Sequence, residues 1–305
     1  MTCRLVGLVA AVHTPFDSAG DLDLSVVERQ LSHLLSRGVT KVFVGGSTGE
    51  SQSLTVDERL RLAERWLQVA RGTEMQVVVH VGANSLPEAQ AMAAQAQRLG
   101  ALAVAAVAPS YFKPRSVPVL LDWCRSIAGA APATPFYFYD IPLLTGVSLS
   151  MPDLLESVGD SIPNFAGLKF TNQDLYAYQQ CLRAAGGRFD IAFGFDEMLL
   201  AALVLGAVGA VGATYNFAAP VHHRIMRAFD RGDLSAARDE QYRSVLTIRT
   251  LIRHGFAGSG KAVMEMLGVP VGPPRAPQQT LDAAEVAALR AELTNLGFFD
   301  WIASP

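Results

Sequence analysis

The sequence predicts an α/β protein, a closed (β/α)₈ barrel that continues into a C-terminal appendage of three helices. Three observations indicate this fold. Strand-like and helix-like segments alternate from the start of the chain. Several strand-like segments are apolar throughout, which is typical of parallel strands covered by helices on both faces. Eight strand-then-helix units fit within residues 1–230, close to the size of about 250 residues that is typical of such barrels.

The predicted strands are short runs of aliphatic, small or aromatic residues bounded by turn-forming residues. In chain order they are 5–12, 41–44, 76–81, 102–107, 136–139, the apolar run that ends at Lys169, 189–193 and 207–211. The alternative is an open, doubly wound sheet, which would carry a Gly-x-Gly-x-x-Gly segment after an early strand. The sequence has no such segment, so the closed barrel is favoured.

A segment with helical periodicity or helix end signals follows each strand. The predicted helices are 25–37, 55–72, 87–99, 117–128, 151–158, 174–184, 194–205 and 220–229. In the first, Val27, Leu31 and Leu34 fall on one face. The second begins with a capping box, Thr55 with Glu58 three residues later. These signals justify a helix in each connection of the barrel.

The chain beyond the eighth unit is predicted to be helical as well. Three helices are expected at 234–254, 260–267 and 281–296, with a proline-rich connector at 268–277. We expect residues 1–230 to form the barrel that carries the active site. Residues 231–305 are expected to pack on that barrel as a helical extension without a separate function.

Composition excludes several classes of protein. Half of the 305 residues are hydrophobic, 17% are charged and the net charge is −3. This composition is typical of a globular chain and lacks the basic footprint of a nucleic-acid-binding protein. No apolar run reaches the length of a transmembrane helix, and the N-terminal run lacks the cleavage site of a signal peptide. The sequence therefore predicts a cytoplasmic protein with no membrane partner.

Neither the cysteines nor the histidines indicate a disulfide framework or a metal site. Cys3, Cys124 and Cys181 are widely spaced and odd in number, as expected of reduced thiols. The six histidines show no metal-ligand spacing, and His222-His223 is interpreted as a surface or interface pair. No metal and no organic cofactor is predicted.

One segment imitates a phosphate-binding P-loop. Gly255-x-x-x-x-Gly260-Lys261 matches most of that motif, but Ala262 stands where a serine or threonine must reach magnesium. No predicted strand leads into the segment. We therefore expect no nucleotide to bind there.

Polar residues follow the strands at the end where chemistry is located in (β/α)₈ barrels. They are Ser47, Thr48, Tyr111, Tyr139, Lys169, Thr171, Asp196, Glu197, Thr214, Tyr215 and Asn216. One polar residue after a strand is ordinary loop composition. A lysine, two tyrosines and a glycine-rich loop at one mouth indicate an active site.

Lys169 is the central candidate, because an ammonium group in an apolar strand is unusual. Its ordinary interpretation is a solvated charge at a strand edge, whereas burial favours the neutral amine, which can attack a carbonyl. Residues 45–50, the glycine-rich loop, can place backbone amides and hydroxyls around a carboxylate, or can be an ordinary turn. Tyr139 shares a strand face with Tyr137 and is either a core side chain or a proton shuttle beside the lysine.

Three separated segments resemble the pyruvate-dependent class I aldolase family of dihydrodipicolinate synthase and N-acetylneuraminate lyase. They are Gly45-Gly-Ser-Thr-Gly-Glu50, Tyr139-Asp-Ile-Pro142 and Gly167-Leu-Lys169, in order and with matching spacing. The similarity extends over nearly the whole chain, through Gly272-Pro-Pro-Arg275. The synthases have an arginine where this chain has Leu144, which cannot grip a second carboxylate. Within the family the chain most resembles the lyase branch, in the segments 139–147, 168–171, 194–197 and 212–216.

The resemblance implies a mechanism and a set of site residues. Lys169 would form a Schiff base with the C2 ketone of open-chain sialic acid, while Ser47 and Thr48 hold the adjacent carboxylate. Tyr139 would relay the proton of the C4 hydroxyl during carbon–carbon cleavage. Tyr111 matches a tyrosine that family members place near a neighbouring subunit's active site, and it completes the catalytic set with Thr48. The residues that would bind the polyol tail are Thr171, Gly194, Asp196 and Glu197, with Ala213 at a position that is usually serine.

The resemblance also leaves alternatives open. It implies cleavage of sialic acid to N-acetylmannosamine and pyruvate by a homotetramer, with no cofactor. Because Ala213 lacks the usual hydroxyl, the substrate can instead be another 2-keto-3-deoxy sugar acid. A non-catalytic barrel that binds sugar acids is the third hypothesis.

Overall fold

The computed structural model describes residues 4–303 and confirms the closed barrel. Eight parallel strands follow one another around it in chain order, and the last pairs with the first. The strands β1 to β8 are Gly7–Ala11, Lys41–Val44, Gln76–His80, Ala103–Val107, Phe136–Asp140, Phe165–Phe170, Asp190–Phe193 and Gly209–Gly212. Closure brings the carboxyl ends of all eight strands to one rim, so the predicted polar residues share a mouth.

Helices surround the strands at the eight predicted places, and a short helix that was not predicted, Pro142–Thr145, follows β5. In the barrel, α1 to α9 are Val27–Ser36, Val56–Ala70, Leu86–Leu99, Val117–Ala128, Pro142–Thr145, Met151–Val158, Leu175–Cys181, Leu199–Leu205 and Tyr215–Asp230. The capping box of Thr55 and Glu58 is present at the start of α2. The predicted helices 25–37 and 194–205 each begin with a short 3₁₀ turn, Leu24–Val26 and Asp196–Met198.

Helix α9 begins five residues before the predicted start at Pro220. The chain is kinked at Ala218, because a proline inside a helix removes one hydrogen bond and clashes with the carbonyl four residues earlier. That carbonyl belongs to Asn216, and it accepts a hydrogen bond of 2.9 Å from His33 Nε2 instead. The first turn of α9 can therefore continue through the proline.

Strand alternation separates two apolar layers. Side chains such as Val9, Phe43, Val78, Tyr137 and Tyr139 fill the barrel interior. Their neighbours along the strands pack outward against the helices, as Leu168 and Phe170 do. Lys169 lies between those two residues, so the period of two directs its side chain into the barrel.

The C-terminal part contains the three predicted helices and a fourth. Helices α10 to α13 are Leu234–Arg253, Phe256–Met266, Ala283–Leu296 and Phe298–Ala303. Their apolar residues form a separate cluster with α9, in which Leu251, Met264 and Leu289 pack with Phe217 and Val221. Helix α13 has only six residues, too few for a periodic pattern to be recognised.

The sequence interpretation of His222-His223 is a surface or interface pair, and the structure excludes a surface position for His222. His222 is fully buried, and its Nε2 lies 3.1 Å from Ser244 Oγ on α10. The reason is that α9 is covered on one side by α10, so a position that would be solvent-exposed in a bare barrel lies in an interface. Burial lowers the pKa of His222 below its usual value.

Other sequence predictions concern thiols, metals and membranes. Cys124 and Cys181 are free and buried, whereas Cys3 lies outside the described residues. Within residues 4–303, no group of histidine, cysteine and carboxylate side chains could hold a metal ion. In the same part of the chain, no helix is both long and apolar enough to cross a bilayer.

Candidate active site at the carboxyl ends of the strands

Lys169 lies inside the barrel near the carboxyl end of β6, and 3% of its surface is exposed. Its Nζ is 3.8 Å from the ring centroid of Tyr139 and 4.2 Å from that of Phe43. Register explains the first contact, because Tyr139 and Lys169 are paired positions on β5 and β6. The faces of aromatic rings attract a cation at this distance.

Tyr139 connects the lysine with the glycine-rich loop. Its hydroxyl is 3.3 Å from Ser47 Oγ, and its ring makes edge contacts with Phe43 and His80. The side chain is buried except for 3% of its surface. The structure therefore brings together Lys169, Tyr139 and Ser47, three of the predicted site residues.

The glycine-rich loop follows β2 and borders a cavity at the mouth. Gly45 has a positive φ of 68°, and a Cβ on Gly46 would collide with the ring of Phe43, so both positions require glycine. Ser47 is exposed and Thr48 is half-buried. A cavity of about 240 Å³ opens beside the loop, and Ser47, His80, Asn84 and Leu144 are on its wall. Lys169 lies deeper and does not line this cavity.

Thr171 and Gly194 meet at the adjacent ends of β6 and β7. A Cβ on Gly194 would overlap Thr171 Oγ1, so only glycine allows the two loops to approach this closely. Thr171 Oγ1 is buried and has no hydrogen-bond partner among the described residues. It is therefore an unpaired polar atom at the junction of the two loops.

Asp196 is placed differently from a simple ligand-binding carboxylate. It is buried, and its Oδ2 accepts hydrogen bonds from Thr214 N at 2.7 Å and Thr214 Oγ1 at 2.6 Å. Its Oδ1 faces Gly212, where a Cβ would collide with it. Asp196 thus fixes the loop that contains Ala213. The next residue, Glu197, is half-buried, and burial raises the pKa of its carboxyl group above the usual value.

Tyr111 is not brought to Lys169 within the chain. Its side chain is 79% exposed and makes an edge contact with Phe112. The loop that carries it is held at its backbone, where Ser110 N and Tyr111 N donate to Asn84 Oδ1. Tyr111 is the one predicted catalytic residue that points to solvent.

Two residues near the lysine were missed by sequence reasoning. Phe43 contacts Nζ, and His80 packs on Tyr139 while its Nδ1 donates to Gly45 O at 2.7 Å. Burial, followed by the charge of Arg59, lowers the pKa of His80 well below its usual value. Both residues alternate with outward-facing neighbours on β2 and β3, and that interior periodicity was the signal available in the sequence.

This arrangement can perform amine chemistry on a carbonyl. A buried lysine is accompanied by a phenol that can transfer protons and by a loop with hydroxyls that can bind an acid group. A closed (β/α)₈ barrel with this set of residues at its mouth has the architecture of a lysine-dependent aldolase.

Comparison with known proteins supports the same class, a lysine-dependent aldolase. The chain belongs to the dihydrodipicolinate synthetase family, whose model matches residues 4–296. It is 41% identical over 302 residues to N-acetylneuraminate lyase of Rattus norvegicus, covering 98% of this chain and 94% of that protein. The structure of Proteus mirabilis N-acetylneuraminate lyase has a TM-score of 0.94 at 38% identity and covers 97% of this chain and 100% of its own. The structure of N-acetylneuraminate lyase from Aliivibrio salmonicida has a TM-score of 0.94 at 39% identity and covers 97% of this chain and 98% of its own.

Proposed function

We propose that this protein is an N-acetylneuraminate lyase, which cleaves N-acetylneuraminate reversibly to N-acetyl-D-mannosamine and pyruvate. The observation that carries the proposal is the position of Lys169, buried at the mouth with its Nζ over the rings of Tyr139 and Phe43. The lyases that are about 40% identical over nearly the whole chain give the substrate class.

The reaction begins with the amine of Lys169. The neutral amine adds to the C2 ketone of the open-chain sugar acid, and the resulting C2 hydroxyl leaves as water with a proton from Tyr139. This leaves a protonated imine and the phenolate of Tyr139. Ser47 and Thr48 bind the carboxylate at C1. Because the imine nitrogen is Nζ itself, which lies over the rings of Tyr139 and Phe43, the same ring faces stabilise its positive charge.

Cleavage follows from the imine. Tyr139 accepts the proton of the C4 hydroxyl, the C3–C4 electron pair moves to the imine, and the aldehyde N-acetylmannosamine leaves. Tyr139 gives this proton to C3 of the resulting enamine. Hydrolysis of the new protonated imine releases pyruvate, the neutral amine of Lys169 and the proton that restores the hydroxyl of Tyr139. Every proton and electron pair is returned, so the cycle requires no metal and no organic cofactor.

The test is reduction of the protein with borohydride in the presence of pyruvate, followed by mass spectrometry of the peptide that contains Lys169. We expect this peptide to gain the mass of one reduced pyruvate. Lys169→Arg keeps the charge but is a poor nucleophile, and it is the matched control that should gain none. The absence of an adduct on the wild-type peptide would reject the proposal.

A second candidate is a lyase for another 2-keto-3-deoxy sugar acid, favoured by Ala213 at the end of β8. Measuring pyruvate released from N-acetylneuraminate and from a panel of related keto acids separates the two. Release only from another acid would select the second candidate. A non-catalytic binding protein would release none, and Lys169→Ala would then leave sugar-acid binding unchanged.

Assembly and location are proposed on the same basis. A homotetramer is supported by the family resemblance and by the exposed pair Tyr111 and Phe112 near the mouth, and a cytoplasmic location by the composition. Sedimentation at several protein concentrations tests the assembly.

A further inference from the structure

The end of the glycine-rich loop has an unusual conformation. Glu50 has a φ of 54°, in the left-handed region that non-glycine residues rarely adopt. Its carboxylate is buried and is held from two sides. Arg275 N donates to Oε2 at 2.8 Å, and Lys261 Nζ lies 2.8 Å from Oε1. These contacts explain how the strained backbone persists, since such strain requires surrounding structure that fixes it.

Lys261 belongs to the segment that imitates a P-loop, and its role is different. It lies on α11 and is 3% exposed. Besides the ion pair with Glu50, its Nζ donates to Thr14 O at 2.9 Å and to Pro273 O at 3.0 Å. The ammonium also lies 4.3 Å from the ring centroid of Phe16. All of these partners lie at the mouth side of the barrel or in the connector.

The connector, residues 268–277, also binds residues at and after the end of the glycine-rich loop. The guanidinium of Arg275 forms two hydrogen bonds with Glu58, at 2.5 and 2.9 Å, and one with Ser53 O at 3.0 Å. On the other side of the loop, Thr14 Oγ1 donates to Gly49 O at 2.6 Å. The C-terminal extension therefore holds the loop directly at Glu50. It also holds Thr14, which binds Gly49.

We propose that Lys261 is a positioning residue for substrate recognition, which acts through Glu50 to hold Ser47 and Thr48 where they bind the carboxylate of the keto acid. The inference rests on the proposed function, because it requires the loop to recognise that carboxylate. Lys261 itself does not touch the substrate.

The test compares two ketones that differ in the carboxylate. Pyruvate uses the loop, whereas acetone forms the same kind of imine without a carboxylate. Borohydride trapping on the peptide that contains Lys169 is measured against the concentration of each ketone. For Lys261→Met we expect the half-saturating concentration of pyruvate to rise about tenfold or more, which is the size of one lost hydrogen bond to a charged group. Trapping of acetone should stay within about twofold of the wild type, below the effect of a single neutral hydrogen bond.

Two further variants make the result specific. Removing one partner of a buried ion pair leaves an uncompensated charge, so Lys261→Met alone can fail to fold. In that case the double variant Glu50→Gln/Lys261→Met, which removes both charges, replaces it. The same selective rise of the half-saturating pyruvate concentration is expected. Glu240→Gln removes the ion pair with Arg224, which joins α9 to α10 away from the loop. This control should lower the melting temperature without changing the ratio between the half-saturating concentrations of pyruvate and acetone.

Three outcomes would overturn the inference. The first is an unchanged half-saturating concentration of pyruvate in a folded Lys261→Met variant. The second is an equal rise of the half-saturating concentrations of both ketones in that variant. The third is a rise for pyruvate alone in Glu240→Gln. A wild type that traps no pyruvate would instead reject the proposed function, and this inference with it.

Discussion

At the scale of single residues, the site depends on which groups surround Lys169. Its Nζ lies over two aromatic faces, and the hydroxyl of one of those rings reaches Ser47. Tyr139 therefore has two separable parts, a ring that contacts the nitrogen and a hydroxyl that can move a proton. Removing only the hydroxyl distinguishes them.

Tyr139→Phe is expected to lower kcat for N-acetylneuraminate cleavage about 10²- to 10⁴-fold, the usual contribution of general acid–base catalysis. Borohydride trapping of pyruvate should persist, because the ring over Nζ remains. The control is Tyr137→Phe, on the same strand face, whose hydroxyl donates to Asp190 Oδ2 at 2.9 Å. That variant should lose stability and keep kcat; equal losses of kcat in both variants would contradict the role of Tyr139.

Asp140, the next residue, gives a prediction about pH. Burial raises the pKa of its carboxyl group to about 7, although the hydrogen bond from Asn172 opposes this shift. A group whose pKa is higher in the folded state contributes stability below its unfolded pKa, and this contribution is lost as the pH rises through the folded pKa. The charged form is therefore the destabilising one.

Asp140→Asn should accordingly stabilise the protein more at pH 8 than at pH 5. The difference is of the order of a few kcal/mol at most, since one pKa unit corresponds to about 1.4 kcal/mol. Urea unfolding of the two proteins at both pH values measures it. An equal change in stability at pH 5 and pH 8 would show that the carboxyl group titrates alike in the folded and unfolded chains.

At the scale of elements, the loops after β6 and β7 must approach closely. Gly194 leaves no space for a Cβ beside Thr171. Because Thr171 Oγ1 is the unpaired polar group expected to meet the polyol tail, the spacing of these two loops shapes the sugar side of the site.

Gly194→Ala is therefore expected to separate the two loops and to raise KM for N-acetylneuraminate about tenfold or more, because overpacking a closed contact typically costs 1–3 kcal/mol. Trapping of pyruvate should change little, since Lys169 is fixed within β6 itself and the glycine-rich loop follows β2. Steady-state kinetics and trapping on the same sample provide the comparison. If pyruvate trapping falls by the same factor as KM rises, the substitution disturbs the whole active site and not only its sugar side.

The elements also show what local sequence can predict. Strand β2 and helices α4 and α6 have the predicted limits, because apolar period and end signals coincide there. Helix α9 begins before its proline, since the carbonyl freed by that proline is satisfied by His33 on another helix. Such compensation comes from a distant residue and leaves no local pattern.

At the scale of the whole molecule, the C-terminal helices complete the barrel. We propose that residues 1–230 carry the active site and that residues 231–305 pack on them without a separate function. Within the described residues, α10 to α12 cover an apolar face of α9 that includes Phe217 and Val221. Lys261 adds a charge that compensates Glu50 inside the barrel domain.

A chain that ends at residue 230 is expected not to fold cooperatively. It would expose the apolar face of α9 and leave the Glu50 carboxylate buried and unpaired, which is costly. Circular dichroism during heating and urea titration measure the transition, with the full chain as control. A sharp transition, together with trapping of pyruvate at Lys169, would contradict this dependence on the extension.

Local patterns were enough to predict the barrel, the strand that carries Lys169 and the glycine-rich loop, because period, turn residues and an unusual charge in an apolar run are local properties. Tertiary structure decided that Phe43 and His80 join the site, that Tyr111 faces solvent and that Lys261 pairs with Glu50. The physical reason is closure. Closure brings together residues that are far apart in the chain, such as Glu50 and Lys261. Strand register and helix packing decide which side chains then meet, and neither can be read from a single segment.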